Sequence, residues 1–229
     1  MALVGGVLLA ISGCGGSSRG AVEKAADRTA AAPGYRVSFS SSIRLSGRRP
    51  LPYSGSGSVD NRSRRTRVLV KGALAGEEIV DGAGATTVYL RFPAASAQLA
   101  STKPWLRLQV TKQLWRLHFN LGAIALTQGN PGQYVEALRG LRGDARKLEP
   151  GRYSATLPVA GRARPVSVWV ADGYVRQLRF AYSVPVPGSK DTIAYETTIW
   201  YRAFGPQPAI ALPAASQVAR IGADGKLEQ

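Results

Sequence analysis

Few residues of this chain could carry acid–base or nucleophilic chemistry. Its 229 residues include one His, His118, and one Cys, Cys14. A nucleophile–imidazole pair could use only that His, and neither a multi-His nor a multi-Cys metal site can form. Because His118 lies between Leu117 and Phe119 in an apolar stretch, the sequence favours a structural or cavity-lining His over a catalytic one.

The carboxylates give no paired site either. Glu77 and Glu78 are adjacent in a predicted strand, and strand alternation places them on opposite faces. No phosphate-binding loop, G-x-S-x-G elbow or H-E-x-x-H motif is present. We therefore predict no catalytic residue, metal site or cofactor. An enzyme whose site is assembled from distant carboxylates or His118 is the lowest-ranked alternative.

The amino terminus has the pattern of a targeting segment. Residues 2–11 are apolar and uncharged, too short to span a bilayer core that needs about 20 residues, but suited to the apolar part of a signal peptide. The following Ile11-Ser12-Gly13-Cys14 resembles the lipobox of bacterial lipoproteins. That resemblance implies a signal peptide over 1–13 and a diacylglycerol-modified Cys14 that anchors an exported protein to the outer face of the membrane. The alternative is a buried strand with Cys14 as a small core residue.

The remaining chain divides by composition. Gly15, Gly16, Ser17 and Ser18 predict flexibility, and we expect a tether over 14–34. A single domain is expected over 35–212. The small, polar residues of 213–229 predict a loosely packed tail.

The chain is strongly basic, with 30 Lys+Arg against 14 Asp+Glu and a net charge of +16. This charge favours anionic partners such as lipid head groups or wall polymers. Nucleic acid is not expected, because the aromatic and basic pattern of an RNA-binding sheet is missing. The densest run of basic residues comprises the candidate head-group contacts Arg62, Arg64, Arg65 and Arg67. The same run is equally typical of an exposed hairpin tip that keeps the protein soluble.

The body of the chain predicts strands. Tyr35, Val37, Phe39, Ile43 and Leu45 alternate with polar residues, which is the pattern of a half-buried strand. Further strands are predicted at 53–60, 64–71, 76–81, 86–92, 105–110, 152–158, 164–171, 174–184 and 192–204. Asp172-Gly173 is a strong hairpin signal. About ten strands in an antiparallel meander are expected.

Two segments predict helix. Asn130 and Pro131 have the residue types of a helix start, and apolar residues recur at helical spacing up to Gly143. Residues 112–125 fit both periodicities, with helix favoured. The predicted fold class is therefore α+β.

The order of several segments resembles actinobacterial lipoproteins of the LppX/LprG type and, more distantly, the LolA lipoprotein carrier. The similar pieces cover most of 35–204: GSGSVD at 55–60, EIVDG at 78–82, TVYLR at 87–91, KPWL at 103–106, the predicted helix of 131–141, and VWVADG at 168–173 with Arg176 and Arg179 following.

This resemblance implies a strongly curved antiparallel sheet, a half-open barrel, with a few helices on its concave face and a hydrophobic cavity for acyl chains. The residues expected to point inward, as cavity lining or equally as plain core, are Val37, Phe39, Ile43, Val88, Leu90, Leu106, Leu108, Val168, Leu178, Phe180, Ile193 and Ile199.

Two functions follow as hypotheses. The first is a membrane-anchored lipoprotein that binds acyl chains of a lipid or lipoglycan and carries them across the envelope. The second is an envelope interaction or sensory lipoprotein with a packed core, whose basic surface binds a protein partner that the sequence does not identify. A large apolar cavity favours the first hypothesis and a filled interior favours the second.

Overall fold

The computed structural model describes residues 17–72, 75–82, 87–109, 131–141, 143–159, 162–186, 188–222 and 226–228. The predicted signal peptide of 1–13, the anchor Cys14, the ambiguous segment 112–125 and His118 lie outside the described residues.

Twelve strands form one open sheet in this part of the chain. They are β1 (Gly34–Leu45), β2 (Leu51–Asp60), β3 (Arg65–Gly72), β4 (Gly76–Asp81), β5 (Thr87–Arg91), β6 (Trp105–Gln109), β7 (Arg146–Glu149), β8 (Arg152–Val159), β9 (Arg162–Ala171), β10 (Tyr174–Pro185), β11 (Thr192–Arg202) and β12 (Val218–Arg220). Their order is β12-β6-β5-β4-β3-β2-β1-β11-β10-β9-β8-β7. Neighbours are antiparallel except β12 and β6, which are parallel.

The predicted fold class and the ten predicted strands are confirmed, with boundaries shifted by a few residues. Asp172 and Gly173 form the tight turn between β9 and β10, both with positive φ (53° and 74°), as a two-residue hairpin requires. β7 and β12 were not predicted.

Three helices are described: α1 (Ser18–Ala31), α2 (Pro93–Gln98) and α3 (Pro131–Arg139). The helix predicted from Pro131 is confirmed. α1 packs against α3 and against β7 to β10, while α3 also contacts β8. Within the described residues, none of these helices combines the length and apolarity that crossing a membrane would require.

The helices define two faces of the sheet. The inner face carries Tyr35, Val37 and Phe39 of β1, and α1 and α3 pack on it. The pairing between strands extends this face across the sheet. Val37 of β1 lies opposite Gly57 of β2, Gly57 lies opposite Val68 of β3, and the same face continues through β4 and β5 to β6. The outer face carries the alternate residues, such as the exposed Arg36 and Ser40 of β1. The inner face therefore holds most of the hydrophobic core.

A glycine on the inner face of β2 permits close packing. A Cβ on Gly55 would lie 2.4 Å from the Phe39 ring. Phe39 thus lies directly over the backbone of the neighbouring strand, where any side chain would push the ring away.

The structure corrects the predicted tether over 14–34, which is wrong for residues 18–31 because these form α1. Ser17 caps the helix by accepting a hydrogen bond from the Gly20 amide at 3.1 Å. Val22, Ala25 and Ala26 recur at helical spacing and are buried against the core.

The predicted loose tail over 213–229 is also wrong, because part of it is integrated into the sheet. After β11 the chain places Ile210 against Ile79 and Trp105 on the outer face. It then forms β12 beside β6, followed by the buried Ile221. These few apolar residues find partners that are distant in sequence, so local composition did not reveal them.

A buried threonine joins α1 to the sheet and gives a first prediction. The Thr29 hydroxyl donates to the Ala25 carbonyl at 2.8 Å and accepts from the Val175 amide of β10 at 3.0 Å. Thr29→Val leaves that amide without its acceptor, so we expect the free energy of unfolding to fall by about 1–3 kcal/mol. Denaturant titration measures it. Thr29→Ser, which keeps the hydroxyl, is the matched control, and equal stability of the two variants contradicts the prediction.

Candidate functional site

All twelve residues predicted to point inward lie on the inner face, and all are buried or half-buried. They divide between two hydrophobic clusters. The larger cluster spans β1 to β3 and β8 to β11 beneath α1 and α3 and includes Val37, Phe39, Val168, Leu178, Phe180 and Ile199, with Ile43 and Ile193 packed against it. The smaller cluster contains Val88, Leu90, Leu106 and Leu108 on β5 and β6.

A cleft of about 640 Å³ opens between α3 and the turn that joins β2 to β3. Tyr35, Val59 and Val135 line its apolar part and belong to the larger core cluster. The polar part is lined by Asn61, Arg64, Thr66, Gln133, Glu136 and Arg139. Three nearly buried residues of the inner-face core thus form the floor of this cleft, and most of its accessible lining is polar.

The two arginines of this rim differ in their partners. The Arg139 Nε lies 2.9 Å from Asp27 Oδ1, and its Nη1 lies 2.9 Å from Glu136 Oε2. Arg64 is exposed in the β2–β3 turn with a φ of 55°, and it has no ion-pair partner among the described residues. Arg64 is therefore the rim cation that is available to an anionic group.

The structure does not bring the four predicted head-group arginines together. Arg62 is exposed in the same turn as Arg64 but does not line the cleft. Arg65 Nε lies 3.5 Å from Asp81 Oδ1, and Arg67 Nε lies 2.5 Å from Glu77 Oε1, on the outer face. Strand alternation and the turn thus separate residues that are adjacent in sequence.

Glu77 and Glu78 lie on opposite faces, as predicted. Glu77 is buried on the outer face and pairs with both Arg67 and Arg91. Glu78 faces inward, opposite Val68 of β3 and Leu90 of β5. It is 1% exposed, and its Oε2 has no hydrogen-bond partner among the described residues.

Burial sets the protonation state of Glu78. Desolvation raises the pKa of this carboxyl well above its ordinary value of 4.5. The adjacent inner-face residues of β3 and β5 carry no ionisable group that would oppose this effect. Burial therefore favours the protonated form of Glu78, which carries one O–H donor. Glu78 was not identified as a buried acid in the sequence analysis. Its position two residues before the apolar Val80 could have indicated this, because the two side chains lie on the same face of the strand.

Tyrosines supply other polar groups beneath the helices. Tyr201 donates from its hydroxyl to the Pro131 carbonyl at 3.0 Å and so fixes the start of α3. Burial raises the pKa of Tyr35, Tyr134 and Tyr201, which keeps all three hydroxyls neutral. In the part of the chain that is described, no group of three His, Cys, Asp or Glu residues could hold a metal ion. The arrangement favours binding of an apolar molecule with a polar end.

The raised pKa of Glu78 gives a prediction for stability against pH. Between pH 4.5 and the raised pKa, the folded protein holds a proton that the unfolded chain has lost. The contribution of Glu78 to the free energy of unfolding is therefore largest below pH 4.5. As the pH rises, this contribution falls by at most about 1.4 kcal/mol per pH unit. We expect Glu78→Gln to remove this fall.

Denaturant titrations of both proteins at several pH values from acidic to mildly alkaline measure the effect. The stability advantage of Glu78→Gln over the wild type should widen as pH rises. Parallel curves for the two proteins contradict the assignment of a neutral buried acid.

Several solved structures are similar to this chain. No protein-family model matches it, and neither does any curated protein. The chain is similar to the lipoprotein LppX of Mycobacterium tuberculosis, at 11% identity over 85% of this chain and 98% of that one, with a TM-score of 0.42. It is also similar to LprF of Mycobacterium bovis (11% identity, 87% and 100% coverage, TM-score 0.38). A third is a LolA superfamily protein of Nitrosomonas europaea (11%, 85% and 96%, 0.36). The similar structures thus include LppX and a LolA superfamily protein, the two kinds of protein that the sequence resembles.

Proposed function

We propose that this protein is an exported lipoprotein, held on the outer face of the membrane by Cys14, that binds acyl chains of a lipid or lipoglycan and carries them across the envelope. One observation carries the proposal: Tyr35, Val59 and Val135 of the inner-face core line the cleft of about 640 Å³, and its polar rim holds Arg64, which has no ion-pair partner among the described residues.

Capture by burial would use the apolar part of the cleft. The volume of the cleft lies within the range of about 300–1,000 Å³ that is typical of small-molecule sites. A chain of about 16 methylenes, at about 0.8 kcal/mol each, gains roughly 10 kcal/mol before the cost of ordering it. No covalent step is needed, so a carrier can release the chain again.

The rim suits an anionic head group. Arg64 stands exposed beside the apolar floor, whereas Arg139 is already paired with two carboxylates. A lipid whose chains lie against Tyr35 and Val135 would place its phosphate at this edge. We assign Arg64 as the principal head-group contact, with Arg62 nearby.

The anchor would hold the start of α1 near the membrane, while the cleft lies at the other end of this helix, beside Ala30. Cys14 precedes the first residue of α1, Ser18, by four residues, and a chain spans at most about 3.6 Å per residue. The start of α1 would therefore lie within about 14 Å of the lipid-modified Cys14. Two acyl chains make such anchoring stable.

The anchor has a direct test. Cys14→Ser removes the only thiol of the chain. We expect this variant to lose incorporation of radiolabelled palmitate and to leave the membrane fraction, while Ser12→Ala, a small residue beside the anchor, keeps both. A Cys14→Ser protein that still incorporates palmitate contradicts the proposed anchor.

Lipid binding is tested by native mass spectrometry with lipid extraction on the protein purified from a bacterial host. We expect a stoichiometric acyl lipid on the wild type and a preference for phosphatidylglycerol over phosphatidylcholine. Arg64→Ala should weaken phosphatidylglycerol binding about fivefold, the equivalent of about 1 kcal/mol for one basic residue. Arg62→Ala, in the same turn but outside the cleft, should change it less.

A clean mass that stays unchanged after incubation with either lipid contradicts this function. It would favour the second candidate, an interaction or sensory module. That candidate is supported by the close packing of the larger core cluster, where the Tyr134 and Phe180 ring centroids lie 5.2 Å apart, and by the excess of basic residues. Its partner would be a protein with an acidic surface.

A further inference from the structure

The outer face of the sheet carries a second recess, separate from the cleft. This outer groove has a volume of about 560 Å³, and the segment that follows β11 forms one of its walls with Gln207 and Pro208. None of the described residues that line the outer groove is acidic. Its floor includes serines and arginines from four strands: Arg36 and Ser38 of β1, Ser56 and Ser58 of β2, Arg67 of β3 and Arg202 of β11.

Two of these arginines lie side by side. Arg36 of β1 is directly opposite Arg202 of β11, and both are exposed on the outer face. Like charges directly opposite each other on neighbouring strands destabilise a sheet. Elsewhere on this face a carboxylate offsets an arginine, as Glu196 does for Arg179 at 2.6 Å. Arg36 and Arg202 have no carboxylate partner among the described residues, so an anion bound between them would relieve their repulsion.

The outer groove also supplies hydrogen-bond donors. Arg202 Nη2 donates to Ser38 Oγ at 2.6 Å, which holds this guanidinium over β1. Ser56 lies opposite Ser38, and Ser58 lies opposite Arg36. Within the described part of the chain, the side chains of Arg36, Ser56 and Ser58 have no hydrogen-bond or ion-pair partner. Guanidinium and hydroxyl donors together suit the oxygens of a phosphate group, because an arginine fork can bind two of them at once.

The wall of the outer groove is fixed by hydrogen bonds. Gln207 Nε2 donates to the Ala203 carbonyl at 2.9 Å and to the Gly205 carbonyl at 3.2 Å. The Gly205 amide donates to the Gly34 carbonyl of β1 at 2.9 Å, which joins this segment to the sheet. A ligand would therefore enter a recess whose backbone is already ordered, and this lowers the cost of binding.

We propose that the outer groove is a binding site for a phosphate group, held between Arg36 and Arg202 and by the neighbouring serine hydroxyls. Arg67, which already pairs with Glu77, adds positive charge at the other side of the groove. The site lies on the opposite face of the sheet from the cleft, so it goes beyond the proposed function and does not depend on it. A soluble phosphate and the phosphate of a lipid head group share this chemistry, and the experiments below distinguish them.

Isothermal titration calorimetry of the full chain with inorganic phosphate, at constant ionic strength, tests the site. We expect saturable binding to the wild type. Arg36→Gln should weaken it about tenfold, the equivalent of one hydrogen bond between charged groups. Arg62→Gln is the matched control, because it removes an exposed arginine that lines neither the groove nor the cleft. Arg64→Gln removes the cation of the cleft rim, and both of these variants should bind phosphate like the wild type.

Thermal unfolding checks that Arg36→Gln remains folded. Without phosphate, this variant should unfold at no lower temperature than the wild type, since the substitution removes the repulsion from Arg202. Phosphate should raise the unfolding temperature of the wild type, because it binds the folded state, and should raise that of Arg36→Gln less.

Sedimentation with phosphatidylglycerol vesicles identifies the source of the phosphate, with Arg64→Gln as the starting protein so that the cleft rim does not contribute. If adding Arg36→Gln weakens sedimentation, the phosphate belongs to a lipid head group. If it weakens only the binding of inorganic phosphate, the ligand is a soluble phosphate.

Three outcomes overturn the site. The first is equal weakening of phosphate binding by Arg36→Gln and Arg62→Gln, which would reflect net charge alone. The second is a loss of binding in Arg64→Gln but not in Arg36→Gln, which would place the phosphate at the cleft. The third is the absence of any binding, to phosphate or to vesicles, that depends on Arg36.

Discussion

The structure depends on one constraint, the two-residue alternation of side chains along the paired strands from β8 to β6, whose registers are regular except for one shift between Val175 and Gln177 of β10. Most apolar side chains of each strand meet those of the next on the inner face, whereas the outer face is mainly polar and holds one small apolar cluster of Ile79, Trp105 and Ile210. A slip of one residue in the pairing of β1 with β2 or of β2 with β3 would turn Arg36 or Arg67 toward the inner face and Val37 or Val68 toward the outer one. The burial of α1 and α3, the floor of the cleft and the orientation of Glu78 all follow from that registration.

Features set by neighbouring residues could be predicted from the sequence, and features set by distant contacts could not. Alternation identified the strands and the inward direction of residues such as Phe39 and Leu106, and Pro131 marked the start of α3. α1 was missed because Ala25 and Ala26 supply its buried face and give a weak hydrophobic signal. β12 was missed because its three residues are stabilised by β6, more than a hundred positions earlier. The division of the inner face into two clusters also depends on tertiary packing.

The two faces use their charges differently. On the outer face, buried Glu77 is neutralised by arginines, so its contribution is structural. On the inner face, burial of hydrocarbon supplies attraction without direction, since the hydrophobic effect depends on area and not on chemical detail. Discrimination between ligands of similar length must therefore come from the few polar groups available there. The arginine run illustrates the same division, because adjacency suggested one patch while alternation distributes its members between turn and outer face.

The pairing of β12 with β6 affects the order in which the sheet can form as the chain folds. A chain that emerges from its amino-terminal end presents β6 before β12, so this edge of β6 stays without its partner until residues 218–220 follow. Until residues 218–220 arrive, that edge offers free amide and carbonyl groups to any extended peptide nearby. A nascent or truncated molecule is thus vulnerable to aggregation at a position that the finished protein covers itself.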